Sequence, residues 1–338
     1  AGDADAAWAE LERAFGELGE RMPVESPRAV AGSAWRLARA EAGPPATGRE
    51  AERLSVLCDL HYQNVRLGEE YEKPLRLIQS TARAYALSRR LPPSAARARS
   101  EALVATALAI LGRRDASARH AEEAMRIARG LGQPPVLAFC EQMRAMASYF
   151  GGDFDRGLDR LHDAFERHER WMEAAELCLF AEAVYTIEAT RGHYRYAPAM
   201  LRRSLVRARR LHAPPPMSVL AEHCARAFEA TLTGLAPPVQ RAPLSGFNRT
   251  AAWGPITRTF LELDEHGPEL EAHLVEFHAL GLSPRTAHPV VFEHYVSLAY
   301  IRLRQATRSP DRRAPLRALK RALKDVRAAA RFPLFRAH

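Results

Sequence analysis

The chain has 338 residues, 47% of them apolar and 26% charged, with a formal net charge of +9. That balance excludes wholesale disorder, because there is enough apolar side chain to build a core. No apolar run approaches the roughly 18 residues that a membrane-spanning helix needs, and the opening AGDADAAWAELERAF lacks the basic start and apolar core of a secretory signal. A cytoplasmic location is the expectation, and the missing initiator Met fits a processed or excised chain.

The charge is local. Residues 311–338 hold nine Lys or Arg against two Asp, which leaves a net of +2 for all the rest. Cys58, Cys140, Cys178 and Cys224 are far apart, with no CxxC pair, so they are expected to be buried thiols, not zinc ligands or disulfides. Alanine and arginine, both good helix formers, run throughout.

In chain order, residues 1–50 read as an N-terminal helical connector (WAELERAFGELGERMP) followed by a short helix and a linker. Within the linker, Gly43 and Gly48 have the GxxxxG spacing of a phosphate-binding loop. Arg49 stands where that loop needs Lys, Glu50 where it needs a hydroxyl, and two prolines remove amide donors, so a plain linker is expected.

Residues 51–234 carry a repeat. Turn segments centred on Gly68, Gly112, Gly152, Gly192 and Gly234 recur at spacings of 44, 40, 40 and 42 residues. Between them lie helical stripes: Ala121, Ala124, Met125, Ala128 and Leu131; Leu158, Leu161 and Phe165; Leu201, Leu205, Ala208 and Leu211. The segments LPP, GLGQPP and HAPPP stop the second helix of each pair, and the turn glycine supplies the positive φ that a tight helical hairpin requires. Residues 235–268 contain five prolines and read as an irregular insertion, with no recognisable helix after Gly234. Residues 269–338 read as further helical repeats that end in a basic amphipathic helix.

The segments LGRRDASARHAEEAMRIARGLG at 111–132, GGDFDRGLDRLHDAF at 151–165 and RGHYRYAPAMLRRSL at 191–205 resemble tetratricopeptide (TPR) repeats. Their long period is similar to that of the repeat arms of large bacterial multidomain signalling ATPases, including MalT-like regulators and cyclase or kinase fusions. The resemblance implies an all-α fold, a right-handed superhelical solenoid of TPR-like helical hairpins. It further implies a non-catalytic, regulatory or effector-sensing module that binds a protein, a peptide, a small effector or another domain of the same parent. Repeat geometry nominates Asn64, Gln142, Tyr149, Tyr185 and Glu188 on the first helix of each hairpin as groove-facing contacts.

Other chemistry is thinly supported. His266, His273, His278, His288 and His294 crowd the later region, but His273 and His278 are five residues apart and no HExxH occurs, so no metal is expected. No cofactor is implied, no GxSxG is present, and the acidic pairs Asp153/Asp155 and Asp264/Glu265 suit helix ends. The terminal helix places Arg313, Arg317, Lys320, Lys324, Arg327 and Arg331 in one basic stripe beside Leu316, Leu319, Leu323, Val326 and Ala330. A solvated face is the plain reading of that stripe. Functional alternatives are a protein contact, nucleic acid or an acidic membrane face, and nucleic acid is disfavoured because no aromatic residue interleaves with the stripe. A stand-alone enzyme would need a site assembled from distant residues.

Overall fold

The computed structural model describes residues 4–29, 32, 43–70, 73–172, 174–192, 194–211, 215–235, 246–285 and 289–330. These residues form α-helices joined by turns, with two short 3-10 segments and no strand. None of the helices is long and apolar enough to cross a membrane. The chain divides into two compact units, 1–151 and 152–338. That boundary falls inside the span expected to be one uninterrupted array.

Unit 1 contains α1 (Ala4–Glu17), α2 (Gly48–Glu70), α3 (Pro74–Ser88), α4 (Ala95–Ile110), α5 (Arg114–Leu131) and α6 (Pro134–Phe150). One proline segment read as a stop also serves as a start: Pro134 of GLGQPP occupies the first turn of α6, as Pro74 does in α3, where a missing N–H costs nothing. Gly132 at φ 62° closes α5, and Gly112 at φ 74° makes the α4–α5 turn, a conformation that costs other residues about 1 kcal/mol. α4 packs on both α5 and α6. Ala98, Ala102, Ala124 and Ala128 let these helices approach around Met125, Ile127 and Phe139.

Two expectations change here. Gly68 is not at a turn but inside α2, and a Cβ there would lie 3.3 Å from the Lys73 carbonyl and 3.4 Å from the Leu77 amide. It permits close approach to the start of α3, so it is not a fifth copy of the turn. The N-terminal segment is not a detached connector either. Phe15 is fully buried against Leu54, Leu57 and Leu91, and Arg83 grips Glu20 through two bonds of 3.0 and 2.9 Å. The linker with GxxxxG spacing is tied to the end of α3 by Ala46 N donating to Arg90 O at 2.8 Å and Arg90 Nε donating to Pro44 O at 3.3 Å.

Unit 2 contains α7 (Phe154–His168), a 3-10 turn (Glu169–Trp171), α8 (Ala174–Arg191), α9 (Ala197–Arg210), α10 (Pro215–Thr233) and α11 (Gly246–Glu262). It continues with α12 (Pro268–Ala279), a second 3-10 turn (Pro289–Val291), α13 (Phe292–Arg308) and α14 (Arg313–Ala329). Gly152, Gly192 and Gly234 all have φ between 68° and 82°, as the turns require. Asp153 accepts the Arg156 amide at 3.4 Å and caps α7. α8 packs on α9 and α10, α10 on α11, α11 on α13, and α13 on α14.

The expected irregular insertion is corrected by α11, which runs through Pro255. Proline there removes one backbone donor, yet Trp253, Ala251, Ala252 and Leu261 bury enough apolar surface to hold the helix. Pro237, Pro238 and Pro243 lie outside the described residues. The following turn is made by Asp264 at φ 57°, the one described non-glycine residue with positive φ. Its carboxylate pairs with Arg308, and Arg304 reaches both Leu261 O at 2.6 Å and Asp264.

Candidate binding surfaces and a closed polar core

The five residues nominated as groove contacts are all interior. Asn64 is fully buried and donates from Nδ2 to Ser80 Oγ at 2.6 Å, joining α2 to α3. Gln142 and Tyr149 on α6 are 8% and 5% exposed. Tyr185 and Glu188 on α8 are fully buried. Each continues the register of its helix's buried face: Leu57, His61 and Asn64; Phe139, Gln142, Ala145 and Tyr149; Ala181, Tyr185 and Glu188. A polar residue at a core position turns to its neighbours, and here all five are buried.

Glu188 shows what such a residue does. Its carboxylate accepts the Tyr196 amide at 2.6 Å and the Ala197 amide at 2.9 Å, the first free donors of α9. Tyr196 offers no side-chain cap of its own.

A second interior site joins α8, α11 and α13. Tyr185 donates its hydroxyl to Glu293 Oε1 at 3.0 Å, while Glu293 Oε2 is buried with no partner. Burial pushes the Glu293 carboxyl up to about 7, against the opposing pull of Arg258 and the Tyr185 bond. Burial and the Glu293 charge likewise hold the Tyr185 phenol well above its usual range. Gly254 makes room for this carboxyl: a Cβ there would lie 2.9 Å from Glu293 Oε2 and 3.0 Å from its Cβ. Arg258 lies 2.5 Å from Glu262 through Nε but out of line for a hydrogen bond, so that contact is electrostatic.

Beside it, the Thr257 hydroxyl donates to Trp253 O at 2.8 Å and sits 2.7 Å from His294 Nδ1 and 3.0 Å from His273 Nε2. With its proton used on the carbonyl, the hydroxyl oxygen accepts from both rings, which assigns the His294 proton to Nδ1 and the His273 proton to Nε2. Burial holds His273 down to about 4 and His294 far below its ordinary value, so both are neutral. Two of the histidines considered for metal binding are therefore brought together, around a hydroxyl. No described group of His, Cys, Asp or Glu is arranged to hold a metal ion. The four cysteines are free and buried, and burial pushes Cys58 and Cys140 up to about 12.

Solvent-facing chemistry is concentrated on helix faces. Arg313, Arg317, Lys320, Lys324 and Arg327 are all exposed on α14 and form no ion pair among the described residues; Arg331 lies outside them. α14 seats on α13 through small residues, with Ala322 5% and Ala329 4% exposed. Its larger side chains are left outward: Leu316 is 42% and Leu323 41% exposed, next to the cations. No protein family, curated protein or solved structure matches the chain.

Sequence reasoning found the α14 stripe and missed the Tyr185–Glu293 and Thr257–His273–His294 contacts. Those partners are up to 108 residues apart. The one local signal was Gly254 within a helical run, where a missing side chain marks a close approach.

Proposed function

We propose that this chain is a non-catalytic protein-interaction module, a superhelical stack of TPR-like hairpins that docks an acidic, amphipathic partner helix on α14. The observation that supports it is the pairing, on one exposed face, of five uncompensated cations with the half-exposed Leu316 and Leu323. Cations spaced three and four residues apart match carboxylates at the same spacing on a facing helix, and the leucines supply the apolar contact that gives such a pair affinity. A nucleic-acid backbone would use the cations and leave the leucines wet. The interior residues of the first helices hold the hairpins together, so the contact surface is the outside of the terminal helix. Binding there acts by mass action, favouring whichever state of the parent protein leaves α14 free.

The test is binding of a labelled acidic amphipathic peptide, with a short DNA duplex as comparator, at low and high salt. The expected result is peptide binding that weakens about tenfold in both Leu316→Ser/Leu323→Ser and Lys320→Glu/Lys324→Glu/Arg327→Glu. Duplex binding with a steep salt dependence, unaffected by the serine pair, would replace this reading with a nucleic-acid one.

A further inference from the structure

A second cationic face lies on α9 and does not depend on the reading of α14. Arg202, Val206 and Arg210 form one ridge along that helix, four residues apart; Ala199, Arg203 and Arg207 form the ridge beside it. With Glu169 at the rim they line an open groove of ≈ 500 Å³. Most of α9's polar side chains are accounted for. Arg203 lies over the Phe165 ring at 4.9 Å and is paired with Glu166 and Glu169, Arg207 donates from Nη2 to Arg170 O at 3.0 Å, and Arg209 pairs with Glu222 at 3.2 Å. Arg202 and Arg210 are exposed and form no ion pair among the described residues. Between them Val206 is 47% exposed.

The free groups are strung along the helix and do not converge on a point. With a rise of about 1.5 Å per residue, Arg202, Val206 and Arg210 sit at intervals of roughly 6 Å. Alternate side chains of an extended peptide repeat at roughly 6.6 Å on one face. A segment reading acid, any residue, apolar, any residue, acid would therefore set its three same-face side chains against the two free guanidiniums and the valine between them. Guanidinium forks suit carboxylates, and charge complementarity supplies register. A compact phosphate ligand would need the arginines to converge. A nucleic-acid strand would find, among the described residues, no aromatic ring lining the groove on which to stack.

We infer that the outer face of α9 is a docking groove for an extended acidic peptide segment, with Arg202 and Arg210 as charge contacts and Val206 as the apolar contact between them.

The experiment uses the full chain and a labelled peptide containing Glu-Ser-Val-Ser-Glu, read by fluorescence anisotropy, with tripolyphosphate and a single-stranded oligothymidine as competitors. Because Arg202 and Arg210 hold nothing in the fold, Arg202→Glu/Arg210→Glu is expected to retain the helical circular-dichroism spectrum and to weaken peptide binding at least about tenfold. Val206→Ser is expected to weaken it about threefold, and the Lys320→Glu/Lys324→Glu pair on α14 is expected to leave it unchanged. Peptide binding that is equal in wild type and the arginine double variant would overturn the inference. So would a peptide with Lys in place of Glu that binds as well. Oligothymidine or tripolyphosphate binding more tightly than the peptide, and lost in the same variant, would reassign the groove to phosphate ligands. Loss of peptide binding in the α14 variant alone would move the site there.

Discussion

The two units use the same device at a helix start and bury it differently. In unit 1, Lys73 gives α3 no side-chain cap, and Glu25, about fifty residues earlier, reaches in to accept the Leu75 and Arg76 amides at 3.1 Å each. In unit 2, Glu188 does the same for α9 at 2.6 and 2.9 Å. Glu25 is exposed and Glu188 is fully buried. Water can replace the first carboxylate but not the second. The contrast extends through both interiors. Buried His61 in unit 1 has no partner at either ring nitrogen and rests on Phe15, centroids 4.8 Å apart, whereas His294 in unit 2 meets Thr257 through Nδ1 and leaves only Nε2 without a partner. Polar groups in a core stabilise when they satisfy one another and cost stability when they stand alone.

The largest effect that separates the two is expected from removing the caps. Glu188→Ala leaves two amides at the start of α9 without acceptors, one of them buried, and should cost about 3 kcal/mol. Glu25→Ala should cost about 1 kcal/mol, the ordinary value of a solvent-replaceable cap. Urea unfolding with hydrogen exchange resolved by segment would show α9 amides losing protection in the first variant and only the first turn of α3 in the second. Equal losses would mean that burial of the carboxylate is irrelevant to its role.

The next effect is a pH dependence set by Glu293 in unit 2. Glu293 is held up to about 7 when folded and lies near 4.5 when unfolded, so the folded state binds the extra proton between these values. Its contribution is fully present below about pH 4.5 and is lost as pH rises through 7. The neutral histidines act in the opposite sense. His223 on α10 and His273, held down to about 4, and His294, held well below its ordinary value, favour the fold above pH 6.5 and lose that contribution as pH falls through their folded values. Glu293→Gln keeps the acceptor for Tyr185 and removes the titration. The variant should gain stability relative to wild type on going from pH 5 to pH 8, by up to about 3 kcal/mol. A stability difference that does not change with pH would show that Glu293 stays ionised in the fold.

Much of the architecture was readable because local signals carry it. Gly112, Gly152, Gly192 and Gly234 mark turns by their spacing, and all four have the positive φ that the turn needs. Ala121, Ala124, Met125 and Ala128 declared a buried stripe and form one. α11 was hidden because five prolines around it outweigh a helical pattern on any local scale, whereas burial of Trp253 and its neighbours decides the outcome. The sites were less legible. Exposed Arg317 and Lys320 follow from helical periodicity alone, but Tyr185 meets Glu293 only where α8 approaches α13, far along the chain, which no short window of sequence contains. Asn64 and Glu188 were misplaced for a related reason: repeat geometry nominated them for a groove, while their register on the helix places them in the core.

The smallest effect tests the contrast by making one substitution at two places. His61→Phe replaces a ring whose nitrogens are both buried without partners by an apolar ring of similar shape, tilted against Phe15. It should stabilise unit 1 by about 1 kcal/mol, since removing an unsatisfied polar group recovers part of its desolvation cost. It should also remove an acid sensitivity. His61, held down to about 3, costs the fold stability as pH falls below 6.5, and phenylalanine does not titrate. His294→Phe should destabilise unit 2 by about 1 kcal/mol at neutral pH, because Thr257 loses the donor at 2.7 Å while the ring's contact with Phe277, centroids 3.8 Å apart, is kept. Thermal or urea melts of the two variants at pH 7 decide it. Opposite signs would confirm that the two histidines differ through the single hydrogen bond that His294 makes and His61 lacks. The same sign in both would mean that packing volume, not hydrogen bonding, governs histidine in either core.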